Sequence, residues 1–341
     1  MNQKLKALSG KHKNNKLLYY SKNFVRQAIP MKIYQSQLES KLATIKDYHL
    51  GNIRSRLNYY NKLDHKTNLS ESVGRLSEFN VPKKNKTYFF DTYEYARFFD
   101  LNLKLDFKFG DVTFVPEEPA VVKSRPISSN NENSVVLNLD KVRHFTFLND
   151  KKDFTEKKNM LVGRNAVGQE HRTRFLKMYI DHPWCNIGKI NDDGKDRELI
   201  RNVMTIDEHL DYKFILCLEG NDVATNLKWV MSSHSLAVMP VPKFETWYME
   251  GTLIPNFHFV EIKDDFSDLE ERMEYYMIHT DEALEIIKNA NRYVEHFKDK
   301  HREDLLSLLV LEKYFYMTGQ KDLNKDLERL INLQNERLYR S

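Results

Sequence analysis

Asp111 is the first residue in this sequence at which chemistry can be read. It follows residues 103–110, LKLDFKFG, whose side chains alternate. Leu103, Leu105, Phe107 and Phe109 share one face, and Lys104, Asp106 and Lys108 share the other, the pattern of a half-buried strand. A stiff loop with Pro116 and Pro119 comes next. A carboxylate at a strand end beside a rigid loop suits a general base that takes a proton from a hydroxyl. Glu117 and Glu118, between the two prolines, are rival bases. Asp111 has a plainer role open to it as well, that of capping the turn with its side-chain oxygen.

A second group of residues suits anions. Gly163 and Arg164 follow the apolar residues 160–162, and Arg172, Arg174 and Lys177 open the segment that comes after. The planar fork of arginine binds phosphate oxygens through paired hydrogen bonds. A solvated basic face is the plainer alternative. Further on, residues 214–218 form an apolar run that Glu219 and Gly220 break. Asn221 or Asp222 can cap a helix carrying Val223, Leu227, Val230 and Met231, and residues 236–239 read as a second strand. Strand, glycine turn, helix and strand make a parallel crossover, and ligands bind beyond the carboxyl ends of such strands. That puts Gly220, Asn221, Asp222, Ala224, Thr225 and Asn226 at the rim of a site. Glu245, Trp247, Tyr248 and Glu250 follow, offering carboxylates to hydroxyls and aromatic faces to a flat ring.

The surrounding elements have to position these groups. Residues 28–60 are helix-compatible, broken by Pro30 and Gly51, and residues 61–87 are polar and loop-like. Residues 87–90 read as a strand, 91–99 as a helix packed by aromatics, and 135–139 as a strand. The charged stretch 149–159 marks a domain boundary. Phe175, Met178 and Tyr179 share one face of a helix. Residues 258–262 read as a strand, and Ser267 to Glu270 as a capping box that starts a helix running to His279. A helix over 281–297 turns Leu284, Ile287, Ala290 and Val294 to the core. An apolar helix over 305–317 ends at Gly319, and an amphipathic helix over 323–338 closes the chain. The expected organisation is an N-terminal lobe (1–155), a C-terminal lobe (156–320) and a terminal helix (321–341) that packs back on the first lobe.

Composition narrows the class. The 341 residues are 41% hydrophobic and 30% charged, a globular balance with material for two cores. A net charge of +4 is small for this length and does not mark a nucleic-acid binder. Cys185 and Cys217 make no disulfide framework, which fits a reducing, cytoplasmic setting. No apolar run is long enough for a bilayer, and no signal peptide is evident. His279, His296 and His301 show no metal-ligand spacing, and Asp192-Asp193 lies in a polar glycine-containing loop. Lys4, Lys6, Lys11, Lys13 and Lys16 give a basic N-terminus, read either as a solvated tail or as a weak attraction to an anionic membrane face.

The blocks YKFILCLEGNDVATNLKWVMSSHSLAVMP, GDVTFVPEEPAVVKSRPI, NSVVLNLDKVRHF and HFVEIKDDFSDLEE together resemble glycosyltransferase family 90, its bacterial lipopolysaccharide branch in particular. The resemblance runs from about residue 109 to residue 297. It implies an α/β, GT-B-like fold of two Rossmann-like lobes with a cleft between them. It also implies a UDP-sugar donor held by the C-terminal lobe, inversion at the anomeric carbon, and no obligatory metal or other cofactor. The partners it implies are the UDP-sugar and an oligosaccharide or lipid-linked glycan, at the inner face of a bacterial inner membrane. Asp111 matches the family's base. Gly163 and Arg164, with Arg172 or Arg174, resemble its nucleotide-binding block, and Glu245 matches its later acidic residue. Lys123, Ser124 and Arg125 fall on the acceptor side. Animal members carry an arginine where this chain has Asn226, with Lys228 two residues on. Neutralising the diphosphate then falls to Arg164, Arg172, Arg174 or Lys228. A GT-B-like protein that binds a nucleotide or glycan without turnover is the alternative.

Overall fold

Among the described residues, six of the seven strand pairs are parallel, which places the chain in the α/β class. The computed structural model describes residues 12, 14–323, 327, 328 and 330. The expected terminal helix and the lysines at 4, 6, 11 and 13 fall largely or wholly outside them. The strands are β1 (Phe107–Lys108), β2 (Ala120–Val122), β3 (Ser124–Pro126), β4 (Ser134–Val136), β5 (Lys158–Asn165), β6 (Cys185–Lys189), β7 (Tyr212–Leu216), β8 (Leu236–Met239), β9 (Phe244–Thr246) and β10 (Val260–Glu261). The helices of ten residues or more are α1 (Lys16–Ala28), α2 (Leu50–Tyr60), α3 (Lys86–Ala96), α4 (Glu170–Tyr179), α5 (Leu269–Ile278), α6 (Thr280–Val294) and α7 (Lys300–Met317).

The chain forms two compact units. One holds Val142–Lys243 and Glu250–Lys298; the other holds Asn15–Lys141, Phe244–Met249 and the chain from Asp299. The first is built on a five-stranded parallel sheet of order β10-β8-β7-β5-β6. Numbered along the chain, that is the doubly wound order 2-1-3-4-5. Strand β7 is buried along its whole length, as a central parallel strand must be. Phe175, Leu176 and Tyr179 of α4, with Met273 of α5 and Ile286 and Ile287 of α6, complete this core. Met178, expected inside, is exposed, and so is Leu284. Their helices turn the neighbouring Leu176 and Ala283 inward instead.

In the second unit a small parallel sheet, β1-β2-β4, lies with the antiparallel pair β3–β9. Its core includes α7, whose Leu305, Leu306, Leu309, Val310 and Phe315 are buried. The strand expected over residues 103–110 shrinks to the two residues of β1. The carbonyl of Leu103 is taken by the amide of Leu76, and the amide of Lys104 by the side chain of Gln320. Residues 87–90 are helical rather than extended. Phe89 and Tyr93, four apart, stack at 5.7 Å across one turn of α3, the kind of pair a helix rewards. Pro30 does interrupt the N-terminal helices, but Gly51 lies within the first turn of α2. The expected capping box at Ser267 is absent: its hydroxyl donates to Asp265, and α5 starts without a side-chain cap.

Candidate active site

In the parallel-sheet unit the strand order reverses between β5 and β7. Chain segments leave those two strands in opposite directions, so a crevice opens at their carboxyl ends. Arg172, in the first turn of α4, fills this point. It donates to the carbonyl of Ala166 beyond β5 (2.8 Å) and to those of Leu218 (2.7 Å) and Glu219 (2.8 Å) beyond β7. Three of its N–H groups are engaged, out of the five a guanidinium carries. Among the described residues it has no ion pair. Burial brings its pKa down to about 10, with Asp222 and Glu219 acting the other way. A cation held by carbonyls at a switch point is a site prepared for an anion.

Neighbouring residues support it. The ring Nε2 of His171 is 2.8 Å from the carbonyl of Glu219. The side-chain amide of Gln169 donates to Asn221 at 2.7 Å, tying the two loops together. Gln169 leaves the start of α4 without a side-chain cap, so the first N–H groups of that helix add positive potential. Gly220 does not take a left-handed conformation. A Cβ there would lie 3.3 Å from Nη2 of Arg172, so glycine leaves room for the guanidinium. The helix expected from Asn221 or Asp222 begins only at Leu227 and runs five residues, with no side-chain cap. Asp222 and Ala224 are buried and Thr225 is half-buried, while Asn226 donates to the carbonyl of Leu216 and ends β7. The loop is therefore held by side chains rather than by helical turns.

The other cations are engaged elsewhere. Arg164 donates to the carbonyls of Asn202 (2.8 Å), Gly163 (2.9 Å) and Asn186 (2.6 Å), and to the side chain of Asn186 (2.6 Å). That guanidinium ties β5 to β6, while Gly163 gives Leu216 of β7 room, since a Cβ there would meet Leu216 at 3.0 Å. Arg164→Ala should therefore cost about 1–3 kcal/mol of stability in a urea titration and weaken binding of a diphosphate probe less than Arg172→Ala does. The reverse ranking would return the anion to Arg164. Arg174 turns away to the carbonyl of Asp264 and the ring of Phe266. Lys228 is buried and paired with buried Glu250 at 2.6 Å. Asp193 pairs with Lys189 and Asp192 with Arg197.

In the second unit Gly110 takes φ +116° and directs the chain from β1 into Asp111. The carboxylate of Asp111 accepts from buried Lys123 at 2.6 Å and keeps 33% side-chain exposure. The contact sets an ammonium beside the carboxylate, and the open part of that carboxylate is what a hydroxyl could reach. Ser124 braces the segment by bonding both the amide and the carbonyl of Val112. Glu118 accepts the amide and hydroxyl of Ser70, each at 2.9 Å, and so holds a loop. Glu117 is exposed.

Arg125 and Glu245 face each other across β3 and β9, both buried, with Nε 2.6 Å from Oε1. Arg125 also donates to the carbonyls of Ser134 and Tyr59, and the hydroxyl of Tyr59 donates to Glu245. Glu245 thus belongs to the same unit as Asp111, apart from Arg172. Trp247 and Tyr248, expected to offer open ring faces, are buried. Trp247 stacks on Tyr60 at 3.8 Å and donates its indole N–H to Glu303. Sequence reasoning passed over His171, Gln169 and Tyr59. His171 adjoins Arg172, and that adjacency was the available signal.

Residues 141–318 match the family model described as Glycosyl transferase family 90. The chain is also similar to the O-glucosyltransferase LpsA of Dichelobacter nodosus. The two are 44% identical over 263 residues, which cover 77% of this chain and 82% of that protein.

Proposed function

This chain belongs to glycosyltransferase family 90, and on that premise we propose that it moves a sugar from a UDP-sugar to a hydroxyl of a saccharide acceptor, inverting the anomeric carbon. Glycosyl transfer follows from the family; the donor, stereochemistry and acceptor are our reading. UDP-glucose is the first donor to try, because the bacterial relative is named an O-glucosyltransferase. The acceptor we favour is a lipopolysaccharide or lipooligosaccharide core or a capsule glycan, modified in the cytoplasm. In this reading the two units are the lobes of a GT-B enzyme, and the parallel-sheet unit holds the donor.

The observation that carries the reading is Arg172, a cation without an ion pair among the described residues, bound to carbonyls at the strand-order reversal. Asp111 takes the proton of the acceptor hydroxyl, and that oxygen attacks the anomeric carbon from the face opposite the leaving UDP. Negative charge then grows on the diphosphate. Arg172 and the start of α4 stabilise it without rearranging, which is electrostatic preorganisation. Fixed cations can serve where other glycosyltransferases use a divalent metal, so we assign no obligatory metal.

UDP should therefore raise the melting temperature in the presence of a chelator. At about 100 times Kd, mass action adds about 2.7 kcal/mol to the folded state. Binding that depends strictly on manganese or magnesium would sink this part of the reading. One observation favours the alternative of a binding protein without turnover: Lys123 is buried and needs a counter-charge, which Asp111 supplies whether or not it does chemistry. Hydrolysis or transfer of UDP-glucose, assayed with and without candidate acceptors, separates the two.

A further inference from the structure

Helix α1 is docked by its polar face. Tyr19 donates from its hydroxyl to Asp91 (2.8 Å), Arg26 pairs with Glu94, and Asn23 is buried between them. Asp91 and Glu94 both belong to α3. The face turned outward is the apolar one. Leu17, Leu18, Phe24 and Val25 are 79%, 66%, 53% and 64% exposed. At 100° per residue these four fall on one arc of the helix, opposite Tyr19, Asn23 and Arg26. Only Phe24 gains a ring contact, edge-on to Phe90 at 5.4 Å. Ile33, in the short helix Met31–Gln35 that follows, is exposed too. Surface helices ordinarily bury this kind of face, so the arrangement calls for an occupant.

Charge identifies the occupant. Glu39 is the first acidic residue of the chain. Residues 1–38 hold seven lysines and one arginine, a charge of +8 within a chain of +4, so the remaining residues carry −4. Exposed Lys16, Lys22 and Lys32 lie next to the apolar residues in sequence. An exposed apolar face flanked by lysines is what an interfacial helix presents to anionic lipid. A second copy of the chain would bring Lys16, Lys22 and Lys32 against the same three lysines, which charge disfavours.

We propose that the outward face of α1 docks on an anionic lipid surface, with Leu17, Leu18, Phe24 and Val25 entering the headgroup boundary and the surrounding lysines held by lipid phosphates. The orientation is peripheral: among the described residues no helix is long and apolar enough to cross a membrane. The inference stands apart from the identity of the donor, and its primary readout is vesicle binding.

The experiment is flotation of the full chain with vesicles of phosphatidylcholine, with and without phosphatidylglycerol, at low and high salt. The expected result is binding to the phosphatidylglycerol vesicles that salt weakens. Leu18→Asp with Val25→Asp should lower partitioning at least about tenfold, because two apolar anchors are lost and two charges are repelled. Both positions are exposed, so the melting temperature should hold, and a soluble acceptor should be used as well as before. Unchanged partitioning by this variant, or no vesicle binding by the wild type, overturns the proposal. A concentration-dependent dimer that the variant abolishes also overturns it, and assigns the face to a second copy.

Discussion

Asp111→Asn is expected to lower sugar transfer by about 10²- to 10⁴-fold, the range that a positioned general base supplies. The amide keeps the shape of the side chain and cannot take the proton. UDP affinity should hardly change, since Arg172 and the start of α4, proposed to hold the diphosphate, belong to the parallel-sheet unit. The ion pair with Lys123 needs a second measurement, because the substitution also leaves a buried ammonium without its counter-charge. A melting curve records that cost separately from turnover. Glu118→Gln and Glu117→Gln are the controls. Glu118 is committed to Ser70, so its variant should loosen a loop and leave most of the transfer. Near-normal transfer by Asp111→Asn, with collapse in a glutamate variant, moves the base to that glutamate. Near-normal transfer by all three removes the loop from the reaction.

The parallel crossover was readable because it rests on local signals. Residues 214–218 and 236–239 are short apolar runs of strand length, and the register of β7 on β8 pairs Phe214 with Leu236 and Leu216 with Val238. The helix between them was misplaced because Asn221 and Asp222 are good caps in isolation. In the fold that loop is organised by contacts from elsewhere, including Gln169 on Asn221. The block containing Arg164, Arg172 and Arg174 suggests an anion site, but the sequence does not say which arginine faces the strand-order reversal. That depends on where β5 and β7 end relative to each other, and strand order is a long-range property. A glycine in a sequence signals a turn; the use of Gly220 is to leave space beside Arg172. Nothing local marks residues 244–249 as leaving the sheet unit. Glu245 and Trp247 looked like ligand-binding groups because carboxylates and rings have the same composition whether they face a sugar or a core.

Glu245→Ala should test that last distinction with a large effect. The carboxylate is 3% exposed and lies 2.6 Å from a fully buried guanidinium. Removing one partner of a buried pair leaves an uncompensated charge and costs about 3–5 kcal/mol. Arg125 would keep its carbonyl partners at Ser134 and Tyr59, which places the loss toward the lower end of that range. Replacing both residues together, Arg125→Met with Glu245→Leu, removes the stranded charge and should recover much of the stability. The measurement is a double-mutant cycle by urea denaturation, with UDP affinity determined on the folded fraction of each variant. If Glu245 serves only to hold Arg125 and Tyr59, stability falls while UDP affinity stays level. A fall in UDP affinity at unchanged stability would instead make Glu245 a donor ligand, the role the family resemblance implies. That result would require Glu245 to leave Arg125 when the donor binds.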